Sequence, residues 1–341
     1  MSTPVNRQLL LKTRPEGRVG REHFSLVEAP VPALADGEVL VRVLYLSMDP
    51  TNRVWMSDVP QYLPPVAIGE VMRALGIGRV VASRNAGFAE GDLVQGLVGW
   101  QDYAVVPADQ AAQLVKLPAQ SGLPLPTLLG ACGMSGLTAY YGLTDIAPVQ
   151  PGETLVVSAA AGSVGSIAGQ IGKIHGARVV GIAGGADKCR YVVEELGFDA
   201  CIDYKQHKDA KSLSAALKAD CPNGIDGYFE NVGGMILDAV MSRANAFSRV
   251  AMCGMIAGYN GEPIPLSAPQ LILVNRMKIE GFIVSEHMEV WPEALKELGT
   301  LVATGKLKYR ESVAEGLANA PEAFLGLLKG RNFGKQLVKL I

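Results

Sequence analysis

The chain of 341 residues contains no uninterrupted apolar run of about eighteen residues, the length a membrane-spanning helix requires. Its opening, Met1-Ser2-Thr3-Pro4-Val5-Asn6-Arg7, lacks the features of a signal peptide, so a cytoplasmic protein is expected. Charge of one sign is not concentrated anywhere. With 31 basic and 33 acidic residues, the formal net charge is -2, which argues against nucleic acid or an anionic membrane as principal partner. The five cysteines, Cys132, Cys189, Cys201, Cys221 and Cys253, never form a CxxC pair, which disfavours a disulfide framework and a structural zinc site. Reduced thiols, most of them buried, are expected. The four histidines, His23, His175, His207 and His287, show no HExxH or paired-ligand spacing, so no metal is expected at them. What is abundant is apolar surface: 49% of residues are hydrophobic and 19% charged. A large core is therefore available, and the length favours two domains over one.

The most informative stretch is Thr154-Leu155-Val156-Val157-Ser158-Ala159-Ala160-Ala161-Gly162-Ser163-Val164-Gly165, an apolar run that breaks into small residues and then into a helical pattern. Such a turn suits a dinucleotide pyrophosphate: small residues let backbone approach the phosphates, and N–H groups at the helix start attract their charge. Ala159, Gly162, Ser163, Val164 and Gly165 are the residues expected there, with Ala159 standing where a first glycine is usual. An ordinary tight turn is the competing reading. A second strand-like run, 178–183, follows at the distance of a strand–helix–strand unit.

Further strands are expected at 200–203, 225–229, 249–253 and 278–284, with helices near 164–175, 187–196, 209–219, 234–246 and 291–303. This alternation implies a doubly wound parallel sheet. Before it, from about Gln8 to Val106, short strands punctuated by prolines and glycines suit a β-rich domain of partly open barrel type. Ala131 to Leu143 has helical character. The tail carries a helix near Ala320 to Leu328 and a strand over 336–340, and is expected to return to the β-rich domain. The division drawn is 1–126 with 305–341 for the β-rich domain and 127–304 for the nucleotide domain.

Several ordered segments support a family. They are Leu44-Tyr45-Leu46-Ser47-Met48-Asp49-Pro50 with Arg53, Gly133-Met134-Ser135-Gly136-Leu137-Thr138-Ala139-Tyr140, the turn from Ala159 to Gly165, Glu230-Asn231-Val232-Gly233-Gly234, Cys253 to Asn260, Gly281-Phe282-Ile283-Val284, and Asn332 with Gly334-Lys335. The chain resembles the medium-chain dehydrogenase/reductase superfamily along nearly its whole length. Within it, the resemblance is to the zinc-independent branch of prostaglandin reductases, 2-alkenal double-bond reductases and curcumin-reductase-like enzymes. It implies a Rossmann domain beside a GroES-like β-rich domain, and a homodimer joined through the nucleotide domains. Where zinc-dependent relatives place ligands, this chain reads Ser47-Met48-Asp49-Pro50 and Ile68-Gly69-Glu70, without cysteine or histidine. A catalytic zinc needs about three protein ligands.

The second strand ends Ala183-Gly184-Gly185 with Lys188 beyond, and no acid stands where ribose hydroxyls are held, so NADPH is the expected cofactor. Asp187 complicates this, although an acid suits a first helical turn. By the resemblance, Lys188 and Tyr204 bind the adenosine 2′-phosphate beside Gly184; a solvated helix lysine and a packed loop tyrosine are the alternatives. It also places Asn231, Cys253, Ile256, Phe282, Ile283 and Val284 around the nicotinamide, Asn332 on the cofactor from the tail, and Met134 and Thr138 at the nicotinamide end. Asn231 as a helix cap and Met134 as a core residue remain open.

A metal-free NADPH site is suited to delivering hydride to the β-carbon of a double bond conjugated to a carbonyl. Tyr259 is the candidate donor to the carbonyl oxygen, since a tyrosine stays protonated at neutral pH. A structural tyrosine and the nicotinamide ribose hydroxyl compete for that role. The substrate walls are expected from Tyr45, Met48, Arg53, Trp55, Tyr62 and Met134. Arg53 would face a substrate carboxylate, the cofactor or Asp49. The expected activity is reduction of α,β-unsaturated aldehydes and ketones. The rivals are a quinone oxidoreductase of the same superfamily and a non-catalytic NADPH-binding protein.

Overall fold

The strand Thr154–Ser158 is buried at every position, and Arg178–Ala183 at every position after its first. Strands apolar on both faces belong inside a parallel sheet covered by helices on either side. In the computed structural model, which describes residues 5–59, 61–118 and 122–341, they take that place. The chain divides into two compact units, Met1–Leu129 with Glu311–Ile341, and Gly130–Arg310.

The second unit holds a six-stranded sheet among the described residues, ordered 200–203, 178–183, 154–158, 225–230, 244–252 and 278–281. All five pairings are parallel. Strand order reverses at the neighbours 154–158 and 225–230. In open sheets of this kind ligands bind at the carboxyl ends of the strands, at that reversal. The helix Ser163–Ile174 packs tightly on the sheet, where a Cβ on Gly172 would lie 2.5 Å from the Leu155 side chain.

Three elements depart from the periodicity. The helix expected to 246 stops at Met241, and a strand runs from Ala244 to Met252. Asn245 explains the change: its Nδ2 donates to the Asn223 carbonyl and to Asp226, 2.9 and 2.8 Å away, pinning this segment beside the preceding strand. The helix expected over 187–196 is α-helical only for Ala186–Arg190 and widens into a π turn at Tyr191–Glu195. The strand expected to 284 ends at Gly281 and gives way to a short 3-10 turn, Val284–Glu286.

The first unit carries a sheet ordered 311–315, 335–339, 39–48, 75–83, 93–97 and 115–116, with 103–106 also pairing to 39–48. A separate antiparallel pair joins 5–11 and 24–30. Its core centres on Trp100, stacked on Phe24 at 5.3 Å and met edge-on by Phe324 at 5.7 Å. Truncating one such buried aromatic to alanine costs about 3–5 kcal/mol. Phe324 comes from the helix Ala320–Leu328, so the C-terminal segment completes the core opened by the N-terminal one.

Candidate active site

Three strand ends of the second unit present the candidate residues. At the first, Ser158 is followed by Ala159 in the left-handed region, φ 48°. A non-glycine residue there stores strain, tolerated because neighbours hold it: Ala160 N–H donates to the Ile182 carbonyl and Gly162 N–H to that of Ala159, at 3.1 and 2.8 Å. Gly165 is required by space. A Cβ there would stand 2.5 Å from the Ala159 carbonyl oxygen and 3.1 Å from that of Ser158. The helix Ser163–Ile174 starts at Gly162 with no side chain capping it. Its first N–H groups have no intrahelical partner, an arrangement that attracts negative charge. Ser163 is fixed by donating its hydroxyl to Ser135, 2.6 Å away.

At the second strand end, Tyr204 and Lys205 pack closely against Gly184. A Cβ on Gly184 would lie 2.9 Å from a Tyr204 ring carbon and 3.1 Å from the Lys205 Cε. Gly185, at φ 106°, donates its N–H to Asp203 Oδ1 at 2.8 Å, so this acid is occupied with backbone. The Lys188 ammonium is held below its ordinary value by burial and by the charge of Lys205. Two ammonium groups held near one another gain most when an anion joins them. Asp187 is turned aside to Arg190, 2.7 Å away on the helix surface, which removes the complication it raised. Lys205 was not singled out from the sequence; its place directly after Tyr204 was the available signal.

At the third strand end lies Glu230, which the sequence placed in a family segment without assigning it a role. The Glu230 carboxylate is fully buried and accepts from the Ser158 hydroxyl at 3.0 Å, the Tyr228 hydroxyl at 2.7 Å, Gly233 N–H at 3.0 Å and Val232 N–H. Burial pushes its carboxyl above the usual range, against the pull of these donors. The Ser158 hydroxyl in turn accepts from Asn231 N–H at 2.8 Å, and Asn231 Nδ2 donates to the Ser158 carbonyl at 2.8 Å. Asn231 is therefore no helix cap. The following helix, Gly234–Met241, starts at Gly233 without a side-chain cap.

Tyr259 and Asn231 converge on Gly254, whose Cβ, if present, would lie 3.2 Å from the Tyr259 hydroxyl and 3.5 Å from the Asn231 carbonyl oxygen. The Tyr259 hydroxyl accepts from Met255 N–H at 3.3 Å. Cys253 N–H donates to the Glu230 carbonyl and Ile256 N–H to that of Asn231, at 2.9 and 3.3 Å. Burial pushes the Cys253 thiol up to about 12, which suits a packing role. Phe282 packs against Tyr141 at 5.6 Å, Glu286 N–H donates to the Ile283 carbonyl at 2.9 Å, and Val284 is buried with its carbonyl accepting from Trp291. Met134 and Thr138 lie half-buried on one helix, the threonine hydroxyl donating to the Met134 carbonyl at 2.7 Å.

In the first unit the expected wall residues separate. Met48 and Trp55 belong to the core at 1% and 7% exposure, because their apolar surface is used in packing. The Arg53 guanidinium is buried and donates to the carbonyls of Gly17 and Pro15 and to the Ser57 hydroxyl. Asp49 receives Lys335 and the Ser47 hydroxyl. Tyr45 is half-buried, and Tyr62 is exposed with its hydroxyl 2.6 Å from that of Thr51. Asn332 is buried and donates to the Gly334 carbonyl at 2.8 Å, closing its own turn.

Residues 7–115 match the family described as the N-terminal domain of oxidoreductase, and residues 163–300 that described as zinc-binding dehydrogenase. The chain is 44% identical to the NADPH-dependent curcumin reductase of Escherichia coli, over 98% of this chain and 97% of the relative. The chain belongs to the medium-chain dehydrogenase/reductase superfamily. Other relatives place it in the branch that holds prostaglandin reductase 1 of Mus musculus, 42% identical over 96% of this chain and 97% of the relative. The NADP(+)-dependent 2-alkenal reductase of Nicotiana tabacum is 38% identical over 98% and 97%. The crystal structure of CurA from Vibrio vulnificus in complex with NADPH superposes with a TM-score of 0.91 at 43% identity, covering 98% of this chain and 99% of that one. Among the described residues no group of three or more His, Cys, Asp or Glu side chains is arranged to hold a metal ion.

Proposed function

We propose that this medium-chain dehydrogenase/reductase reduces the carbon–carbon double bond of α,β-unsaturated aldehydes and ketones with NADPH. The observation that carries the cofactor is the cationic pair Lys188 and Lys205 at the strand end beside Gly184 and Tyr204, together with the uncapped helix start at Gly162. Both are anion sites, and a phosphorylated dinucleotide is the ligand that needs both. The residues fit that group: a glycine cradle without obstructing Cβ atoms and two cationic side chains. The relatives named for NADPH and for 2-alkenal reduction support the same reading.

Bound there, NADPH supplies hydride for the β-carbon of the substrate. The chain's own groups do the rest. Ala159, Gly162, Ser163, Val164 and Gly165 receive the diphosphate, and Lys188, Lys205 and Tyr204 the 2′-phosphate. Asn231, locked by Ser158, and the segment from Cys253 to Tyr259 shape the nicotinamide end. Tyr259 donates its hydroxyl proton toward the substrate carbonyl oxygen, stabilising the charge that gathers there; the hydrogen bond it accepts from Met255 N–H strengthens it as a donor.

A homodimer joined through the second unit belongs to the same reading. The strand Lys278–Gly281 closes one edge of the sheet, and nearby Leu273 and Phe247 stand 80% and 67% exposed. A cytoplasmic location is proposed with it; no helix among the described residues is long and apolar enough to cross a membrane.

Steady-state NADPH oxidation with a panel of 2-alkenals, enones and quinones tests the activity. Turnover of the enals and enones is expected; turnover of quinones alone, or cofactor binding without any turnover, would overturn it. Tyr259→Phe is expected to lower kcat about ten- to a hundredfold with little change in NADPH affinity, and unaltered kcat would move the donor elsewhere.

A further inference from the structure

Glu230 ends the strand Ile225–Glu230, beside Ser158 at the end of Thr154–Ser158, and these are the neighbours at which the strand order reverses. Both residues are 0% exposed. A carboxylate withdrawn from water this completely is costly unless its lone pairs are used, and here the Tyr228 and Ser158 hydroxyls and the N–H groups of Val232 and Gly233 use them. An apolar side chain would fill the same space without that cost. What the carboxylate adds is direction.

A carboxylate can only accept, and a hydroxyl has a single proton to give. The Ser158 proton therefore goes to Glu230 Oε1 at 3.0 Å, in preference to the Phe229 carbonyl at 3.4 Å, and the hydroxyl oxygen is left to accept from Asn231 N–H at 2.8 Å. The Ser158 carbonyl, also acceptor only, takes Asn231 Nδ2 at 2.8 Å. Ser158 thus grips Asn231 by its peptide and by its carboxamide. With the nitrogen committed to Ser158, the oxygen is the end left over, and among the described residues no hydrogen bond reaches Asn231 Oδ1.

The same peptides seat the segment that carries Tyr259. The Asn231 carbonyl accepts from Ile256 N–H at 3.3 Å, and the Val232 carbonyl from Ala257 N–H at 2.9 Å. The turn Ile256–Gly258, which leads into Tyr259, is therefore fixed to the residues that Glu230 and Ser158 hold.

We propose that Glu230 and Ser158 are positioning residues for the nicotinamide half of the cofactor: the carboxylate orients the Ser158 hydroxyl, Ser158 fixes Asn231, and the Asn231 carboxamide oxygen is presented as a ready acceptor. The nicotinamide nucleoside offers donors of two kinds, ribose hydroxyls and carboxamide N–H groups. An oxygen suits either. A group already oriented before binding loses less freedom when the ligand arrives, so the arrangement strengthens the hold on that half alone. This inference rests on the NADPH reading.

The test is calorimetric titration of the full chain with NADPH and with adenosine 2′,5′-bisphosphate, which keeps the phosphorylated adenosine and lacks the nicotinamide nucleoside. Ser158→Ala should raise the NADPH Kd about three- to tenfold and that of the bisphosphate less than about twofold. Glu230→Leu should do the same or more, and Ser158→Ala decides the matter even where Glu230→Leu fails to fold. Glu230→Gln should recover most of the loss, since its amide oxygen can accept from Ser158, Val232 and Gly233 while its nitrogen donates to the Tyr228 hydroxyl. A third ligand, 2′-phosphoadenosine diphosphoribose, locates the donor: a loss shared with it supports the ribose, and a loss confined to NADPH supports the carboxamide. An equal rise for NADPH and the bisphosphate overturns the inference, as does a Ser158→Ala protein that is less stable yet binds NADPH like the wild type. A wild-type chain that binds neither ligand overturns the cofactor reading itself, and this inference with it, before any variant is compared.

Discussion

Replacing Gly165 by alanine places a methyl group 2.5 Å from the Ala159 carbonyl oxygen, 3.0 Å from the Ala159 carbonyl carbon and 3.1 Å from the Ser158 oxygen. All three are backbone atoms, two of them of Ala159, already at φ 48°, and the third of Ser158 before it, so none can swing aside as a side-chain end would. Forcing a methylene-sized group into such a contact costs about 1–3 kcal/mol. Alanine in place of glycine within a helix returns about 0.5–1 kcal/mol. The net expectation for Gly165→Ala is a loss of about 1–2 kcal/mol, relieved by backing the helix Ser163–Ile174 away from the turn. That retreat also opens the phosphate cradle, and the NADPH Kd should rise about three- to tenfold, since about 1.4 kcal/mol is a factor of ten. Gly299, in the helix Trp291–Ala303, is the control: a Cβ there meets nothing within 4 Å, so Gly299→Ala should gain about 0.5–1 kcal/mol and leave binding unchanged. Urea unfolding and fluorescence titration of NADPH on both variants give the comparison. If Gly165→Ala unfolds with Gly299→Ala and binds NADPH like the wild type, the close approach of helix and turn is not what the glycine provides.

Lys205→Glu should raise the KM for NADPH about ten- to a hundredfold with little effect on that for NADH, as should Lys188→Glu; equal effects on both cofactors would remove these lysines from the proposed 2′-phosphate contacts. Glu230→Gln imitates the protonated acid. Because burial raises the Glu230 carboxyl in the folded chain, its contribution to stability is full below the unfolded value of about 4.3 and is lost as pH climbs through the folded one. The variant should therefore gain stability relative to wild type as pH rises through that window and then level off; a difference constant across pH would show that Glu230 does not titrate there.

The strand–helix alternation of the second unit was legible because Thr154–Ser158 and Arg178–Ala183 are apolar on both faces, a local property. The turn at Ala159 was legible for the same reason, although its left-handed backbone was hidden by a residue that ordinarily avoids it. Glu230 was not legible. Its meaning depends on Ser158, 72 positions earlier, which becomes its neighbour only when two strands pair side by side. For want of that same partner, a helix cap stayed open for Asn231 beside its place at the nicotinamide. In the first unit, Met48, Arg53 and Trp55 share a motif with residues that line clefts elsewhere, yet their side chains are taken up by local packing and by the carbonyls of Pro15 and Gly17. A motif reports spacing along the chain; which way a side chain turns is decided by what arrives from far away.

The strand Lys335–Lys339 lies between 311–315 and 39–48, so the interior of the first unit's sheet is filled by a strand made long after 39–48 has left the ribosome. During synthesis the segment 39–48 must wait with one backbone edge bare, while Gly130–Arg310 already has every strand it needs. Nascent chains therefore acquire the dinucleotide-binding half first, and a chain cut short before Lys335 keeps a sticky seam that a chaperone, or another unfinished copy, can seize.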